Sequence, residues 1–156
     1  MTIRNLQHMF APRSAVLIGA SRREGSVGNW LARNLAEGFG GQLTFVNPKG
    51  GEISGRTCHR HLSDLKEPAD LAVIATPPAT VPGIVTELGA AGTKAAVVIS
   101  AGIKGDLKQA MLDASKPHCL RLLGPNCIGL AVPRLGLNAS FSHISAPKGD
   151  LAFLSQ

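Results

Sequence analysis

Three features that would place the protein in a specialised class are missing from the sequence. Its cysteines, Cys58, Cys119 and Cys127, are odd in number and show no CxxC spacing, which argues against a disulfide framework or a structural zinc site. Its apolar runs are far shorter than the roughly 20 residues that span a bilayer. Residues 1–6 show no secretory signal. We therefore expect reduced thiols, no membrane partner and a cytoplasmic location.

Aromatic residues are also scarce, at 4% of the chain with no Tyr. The net charge of +6 is of the sign that attracts nucleic acid. The basic residues are scattered, however, and no run of Lys or Arg alternates with stacking side chains. The sequence therefore favours a basic surface that attracts a polyanionic small molecule, and we expect no nucleic-acid partner.

What the sequence does contain is an alternation of apolar runs with stretches of helical spacing. The runs are nearly unbroken in hydrophobicity, which is typical of strands covered on both faces. Strands are predicted at 15–19, 43–46, 71–75, 95–100 and 120–123, and helices at 28–37, 79–91 and 106–115. This order predicts an α/β fold, an open, doubly wound, Rossmann-like parallel sheet that binds its ligand at the carboxyl ends of the strands.

Two segments have weaker patterns. The crossover at 50–68 predicts a short strand around Ile53 and one helical turn at 62–65. Residues 146–149 resemble a linker, and 151–156 predict a strand without a following helix. We therefore expect a binding domain over residues 1–145, with a linker and the start of a following domain over 146–156.

The loop after the first predicted strand is rich in glycine and hydroxyl groups. Its glycines, Gly19, Gly25 and Gly28, do not have the G-x-G-x-x-G spacing of a dinucleotide fingerprint. Backbone amides of this loop can still converge on a pyrophosphate where the next helix begins, and Arg22 or Arg23 can add a charge-assisted contact. The amides in question belong to Ser21, Gly25, Ser26 and Val27. The alternative is a simple tight turn with its arginines facing water.

The second predicted strand ends in Asn47-Pro48-Lys49. An NAD-binding domain has an acidic residue there to accept hydrogen bonds from the ribose. Lys49 instead favours a ribose that carries a phosphate, as in NADP or coenzyme A. An exposed lysine in a turn is the alternative.

The loops after the later strands are rigid or made of small residues. Thr76-Pro77-Pro78 is suited either to a wall against an adenine or to a stiff connection. Ile99-Ser100-Ala101-Gly102 offers free amides beside which a pantetheine arm can pass. Residues 123–129 form a third constrained turn, which includes Asn126.

These loops together resemble a known family. In order and spacing they are similar to the N-terminal CoA-binding domain of ADP-forming acyl-CoA synthetases, including acetyl-CoA synthetases. Similar domains open the succinyl-CoA synthetase alpha subunit and large protein lysine acetyltransferases. The motifs are Gly19-Ala20-Ser21, Asn47-Pro48-Lys49, Ala75-Thr76-Pro77-Pro78, Ile99-Ser100-Ala101-Gly102 and Arg121-Leu122-Leu123-Gly124-Pro125-Asn126-Cys127. The stretch Gly136-Leu137-Asn138-Ala139-Ser140-Phe141-Ser142 also resembles both the synthetases and the acetyltransferases.

The resemblance implies a role for each loop and coenzyme A or acyl-CoA as the cofactor. The first loop would hold the CoA phosphates through Ser21, Gly25, Ser26 and Val27, and Lys49 would meet the phosphorylated ADP end. Thr76 and Pro77 would flank the adenine, Ile99, Ser100 and Ala101 would guide the pantetheine, and Asn126 would assist. The family's phosphorylated histidine would lie beyond residue 156, in downstream domains or subunits of a synthetase, so this chain is not expected to catalyse alone.

No residue of the chain itself is predicted to be catalytic or to bind a metal. Cys127 has no His or acid at an activating spacing, and Cys58-His59-Arg60-His61 lacks a second ligand cluster. Two rival functions remain open at this point. One is an NADP-binding oxidoreductase domain, and the other is a standalone CoA-sensing module.

Overall fold

The computed structural model describes residues 3–155 and contains a seven-stranded sheet in the order β3-β4-β2-β1-β5-β6-β7. Every neighbouring pair is parallel except β3 and β4, which are antiparallel. The strands are β1 Ser14–Ile18, β2 Gln42–Val46, β3 Gly51–Ile53, β4 Arg56–His59, β5 Leu71–Ile74, β6 Ala95–Val98 and β7 Arg121–Leu123. The predicted α/β, doubly wound, Rossmann-like sheet is confirmed.

Helices cover both faces of this sheet, and a separate hairpin completes the fold. The helices are α1 Leu6–Phe10, α2 Val27–Gly38, α3 Val81–Ala91 and α4 Gly105–Ser115, and the hairpin strands are β8 Gly129–Val132 and β9 Leu137–Ser140. Short 3-10 turns lie at Leu62–Asp64, Pro78–Thr80, Lys116–His118 and Pro133–Leu135. None of the helices within residues 3–155 combines the length and apolarity that crossing a bilayer would require.

The sheet separates two hydrophobic cores. On one face, α2 and the hairpin pack with residues such as Leu17, Leu31 and Leu137. On the other, α3 and α4 bury Val85 and Met111 against the sheet. The central strands β1, β5 and β6 are covered on both sides, which explains why their sequences are apolar at almost every position.

The strand order reverses between β1 and β5. From β1 the chain passes outward to β2 and β4, and it then returns to build β5, β6 and β7 on the other side of β1. The loops that follow β1 and β5 lead to α2 and α3, whose cores lie on opposite faces of the sheet. A crevice at the carboxyl ends of β1 and β5 follows from this topology, and ligands of such folds bind there.

Several elements differ from the sequence-based expectation. The predicted strand around Ile53 and the turn at 62–65 are present as β3 and the Leu62–Asp64 turn, but β4, α1 and the β8–β9 hairpin were not predicted. β4 escaped prediction because it is a polar strand in which Cys58 alone is buried. The strand predicted at 151–156 is wrong for residues 151–155, which are exposed and irregular, and residue 156 lies outside the described residues.

A glycine contact holds the hairpin against α2. Gly136 has a φ of +64°, and a methyl group placed on it would lie 1.9 Å from the Gly38 carbonyl oxygen. The Asn34 side-chain amide adds hydrogen bonds to the carbonyls of Ser140, at 2.8 Å, and Ser142, at 3.0 Å. The position of the segment after β9 is therefore set by α2.

We expect Gly136→Ala to lower the free energy of unfolding by about 2–4 kcal/mol, because it combines a strained left-handed backbone with an overlap against Gly38. Gly40→Ala is the matched control, since a methyl group there meets no heavy atom within 4 Å. It should change stability by less than about 0.5 kcal/mol. Urea unfolding of both variants measures the difference, and equal stabilities would contradict the close approach.

Candidate functional site

The crevice between β1 and β5 is closed at its base by two glycines. Gly19 directly follows β1, donates its N–H to the Val46 carbonyl at 2.9 Å and has a φ of +94°. A methyl group on Gly19 would lie 2.2 Å from the Ala75 carbonyl oxygen, and one on Gly28 would lie 2.1 Å from the Gly19 carbonyl oxygen. Only glycine at both positions lets α2 begin directly against the ends of β1 and β5.

The first turn of α2 presents free backbone donors to this crevice. Ser26 is the N-cap, and its hydroxyl oxygen accepts from the Asn29 N–H at 3.3 Å while donating to the Arg23 carbonyl at 2.7 Å. The N–H groups of Val27 and Gly28 have no acceptor among residues 3–155. With the dipole of a 12-residue helix behind them, these amides make an electropositive point that suits an anion.

Two asparagines hold the loop between β1 and α2 in place. Asn29 Nδ2 donates to the Ser21 carbonyl at 3.1 Å, and Asn47 Nδ2 donates to the Ala20 carbonyl at 2.8 Å. The Ser21 hydroxyl accepts from the Arg23 N–H at 3.1 Å. Gly25, by contrast, is exposed with no heavy atom within 4 Å of a methyl group placed on it. The tip of the loop therefore leaves room beside the backbone at Gly25.

The turn after β2 presents Lys49 to solvent. Asn47 fixes the turn, because its side-chain oxygen accepts from the Lys49 N–H at 2.9 Å and its carbonyl accepts from the Gly50 N–H at 2.8 Å. The Lys49 side chain is exposed at the carboxyl end of the sheet. Its backbone is therefore fixed while its ammonium group remains accessible.

Two arginines lie over the same turn. A methyl group on Gly51 would be 3.6 Å from a guanidinium nitrogen of Arg22, and one on Gly50 would be 3.2 Å from Nε of Arg60. Arg22 was predicted beside the pyrophosphate, but its guanidinium lies over this turn. Arg60 was not predicted as a site residue, and it reaches the turn because β4 pairs in parallel with β2.

A cavity of about 380 Å³ opens at the carboxyl ends of β5, β6 and β7. Six of the predicted site residues line it: Val27, Thr76, Ile99, Ser100, Ala101 and Asn126. Four further residues line it that sequence reasoning did not select: Ala75, Cys127, Ile128 and Phe141. Pro77 is exposed and lies next to the cavity wall along the chain. All four fall inside or beside the motifs that resemble the family, although the sequence assigns Phe141 no role in the site.

The Ser100 hydroxyl ties two strand ends together. It donates to the Thr76 carbonyl at 2.7 Å and accepts from the Thr76 N–H at 3.1 Å. The Ser100 carbonyl accepts from the N–H of Asn126, whose φ is +58°. The side chain of Ser100 therefore shapes the cavity wall, and the cavity keeps its form through hydrogen bonds between neighbouring loops.

Burial raises the pKa of both thiols near the site, Cys127 and Cys58. Burial raises the pKa of Cys127, and hydrogen bonds from the backbone at residues 129 and 127 only partly oppose this. Its thiol donates to the Val98 carbonyl at 3.5 Å. Burial likewise raises the pKa of Cys58, with Arg22 acting weakly in the other direction. A raised pKa disfavours the thiolate, which is the nucleophilic form of cysteine.

The site residues fall into three neighbouring regions of one sheet edge. The turn at 47–51 lies after β2, the α2 amides lie beside β1, and the cavity lies beyond β5. Val27 belongs to two of these regions, because it opens α2 and also lines the cavity. A single elongated ligand can therefore contact a cationic turn, a helix N-terminus and a largely apolar cavity in succession.

Comparison with known proteins identifies the family. The family described as CoA binding domain matches residues 13–133. An ADP-forming acetate–CoA ligase of Methanocaldococcus jannaschii is 37% identical over 155 residues, covering 97% of this chain and 22% of that protein. The alpha subunit of ADP-forming acetate–CoA ligase I of Pyrococcus furiosus is 34% identical, covering 97% of this chain and 35% of the subunit. The chain thus spans between 22% and 35% of the length of these relatives.

Solved structures agree with the sequence relatives. PH0766 from Pyrococcus horikoshii OT3 superposes with a TM-score of 0.86 at 30% identity, over 92% of this chain and 34% of that one. The dinucleotide-forming acetyl-coenzyme A synthetase 1 of Ca. Korarchaeum cryptofilum, in complex with phosphate and ADP, gives 0.81 at 35% identity, over 87% and 30% of the two chains. The chain described here belongs to the CoA-binding domain family, and its cofactor is coenzyme A or an acyl-CoA.

Proposed function

We propose that this chain binds CoA or acyl-CoA along the carboxyl edge of its sheet, as the CoA-binding domain of an ADP-forming acyl-CoA synthetase. The observation that carries the proposal is the succession of three matched regions along one edge, joined by Val27. CoA has the same succession of chemistry. It carries a ribose monophosphate, then a diphosphate, then a long and largely apolar pantetheine arm.

The diphosphate is assigned to the start of α2. The free N–H groups of Val27 and Gly28 are its donors, and Ser26 and Gly25 shape the approach. Gly19 and Gly28 act indirectly, because their lack of side chains lets the helix start at the crevice. A diphosphate there gains from both the amide hydrogen bonds and the helix dipole.

The remaining parts of CoA are assigned to either side of the diphosphate. Lys49 meets the monophosphate of the ADP end, since it is a fixed, accessible cation after β2. Thr76 and Pro77 flank the adenine. The pantetheine enters the cavity beside Ile99, Ser100, Ala101 and Asn126.

The size of the chain relative to its relatives supports a proposal for its role in a longer protein. Since the chain spans between 22% and 35% of its relatives' length, we assign it the task of holding CoA and presenting the thiol to an active site formed by other domains or subunits. A related acetyltransferase would use the same CoA-binding edge. The proposed setting is the cytoplasm, with a small-molecule ligand and no nucleic acid.

Isothermal titration calorimetry tests the ligand class directly. CoA and acetyl-CoA should both give binding isotherms with similar affinity, because the contacts proposed for the phosphates and the pantetheine are common to both. NADP⁺ should give none, since the α2 loop lacks the dinucleotide fingerprint. Heat from NADP⁺ with none from CoA would reverse the assignment in favour of the oxidoreductase alternative.

Lys49→Glu should weaken CoA binding by at least about tenfold, because it replaces a charge-assisted contact with repulsion. The affinity for dephospho-CoA, which lacks the monophosphate, should fall much less. Lys108→Glu is the matched control, since it makes the same charge change at an exposed position on α4. Equal losses for CoA and dephospho-CoA, or an equal effect of the control, would contradict the role of Lys49.

Acetyl-CoA should protect Cys127 from alkylation by iodoacetamide at mildly alkaline pH, because the pantetheine would fill the cavity that Cys127 lines. Adenosine 3′,5′-bisphosphate, which has no pantetheine, should protect it far less. Cys119 is the internal control, because it is exposed and precedes β7, at the opposite edge of the sheet. Peptide mass spectrometry measures each rate, and an unchanged rate at Cys127 would place the arm outside the cavity.

A further inference from the structure

Three cations converge on the turn that follows β2. Lys49 belongs to the turn, Arg22 reaches it from the loop before α2, and Arg60 reaches it from the end of β4. A methyl group on Gly51 would lie 3.6 Å from a guanidinium nitrogen of Arg22, and one on Gly50 would lie 3.0 Å from Cγ and 3.2 Å from Nε of Arg60. The lack of a side chain at Gly50 lets Arg60 pack against the backbone of the turn, and Arg22 lies at ordinary contact distance from Gly51.

These cations have no carboxylate partner among residues 3–155. The ion pairs within that part of the chain join His8 and Arg13 to Asp70, and Lys116 to Asp113. Asp64, the acidic residue nearest to Arg60 along the chain, hydrogen-bonds to the backbone and not to the Arg60 side chain. Its carboxylate accepts from the backbone N–H groups of Arg60 and His61, at 3.2 and 3.0 Å.

Glu24 and Glu52 lie close to the cluster along the chain, and neither forms an ion pair in the part that the structure describes. Within the described residues, the three cations of the cluster therefore form no ion pair with a carboxylate. Like charges brought to one turn repel each other, so this arrangement favours a ligand that supplies negative charge.

We propose that Arg60 and Arg22 join Lys49 in a subsite for a phosphate monoester, and that Arg60 determines the preference for CoA that carries this phosphate. The inference rests on the proposed function and assigns residues within that same site. The sequence pattern predicts Arg22 beside the diphosphate. This inference places it at the monophosphate instead.

The chemistry of the three side chains matches a phosphate monoester. Such a group carries close to two negative charges near neutral pH and three acceptor oxygens, whereas each diphosphate phosphorus carries one. Planar guanidinium groups can each donate two parallel hydrogen bonds to phosphate oxygens, and an ammonium adds a point charge. The diphosphate needs less charge, because the α2 amides already serve it.

Arg60→Ala tests the subsite, with Arg56→Ala as the matched control. Arg56 and Arg60 are both exposed, but Arg56 begins β4 while Arg60 follows its end. Arg60→Ala should weaken CoA by about tenfold, the size expected for one charge-assisted contact, and leave dephospho-CoA unchanged. Arg22→Ala should have the same effect as Arg60→Ala. Arg60→Lys should bind CoA more tightly than Arg60→Ala but less tightly than wild type. Arg56→Ala should leave the affinity for both ligands unchanged.

The possible results separate this inference from the proposed function. If wild-type protein binds neither CoA nor dephospho-CoA, the proposed function fails. If it binds both and Arg60→Ala weakens them equally, or weakens neither, the subsite fails while the proposed function stands. NADP⁺, which also carries a ribose monophosphate, is titrated in parallel. Arg60-dependent binding of NADP⁺ without binding of CoA would support the monoester subsite and overturn its assignment to CoA.

Discussion

The close approach of α2 to the carboxyl ends of β1 and β5 is the constraint on which the rest of the site depends. A methyl group on Gly28 would overlap the Gly19 carbonyl, and one on Gly19 would overlap the Ala75 carbonyl. Any side chain at these points would move the helix away from the sheet. The free amides would then no longer face the crevice, and Val27 would leave the cavity wall. One steric condition therefore supports two regions of the ligand site.

The elements that build the crevice could be predicted from the sequence because they are buried on both faces. The predicted limits of β1, β2, β5, β6, β7 and the three long helices lie within two residues of those observed. Strands at the edge of the sheet or outside it are not buried on both faces and are harder to recognise from the sequence. β4 buries only Cys58, and β9 mixes small, polar and apolar residues, so neither has the unbroken apolar run of a central strand. β8 is apolar throughout, but none of its residues is fully buried, and within residues 3–155 it is paired only with β9.

The difference between central strands and weakly patterned strands also explains which parts of the site could be predicted. Loops that follow central strands meet at one edge by topology, so the glycine loop, Lys49 and six of the ten residues of the cavity wall could be selected from the sequence. Arg60 could not, because its place depends on the pairing of β4 with β2. Phe141 reaches the cavity only through the hairpin and its contact with α2. In both cases the missing information is a long-range pairing of weakly patterned strands.

The α2 helix links the two halves of the binding edge. Its first turn offers amides to an anion, while Asn34, two turns further on, fixes the backbone on both sides of Phe141 in the cavity wall. The anion site and one wall of the cavity are therefore parts of one rigid unit. A ligand that joins a diphosphate to an apolar arm meets both in a fixed relative position, so less conformational freedom is lost on binding. The hairpin, although remote from the first turn of α2 along the chain, is packed against the same helix through Gly136 and Asn34.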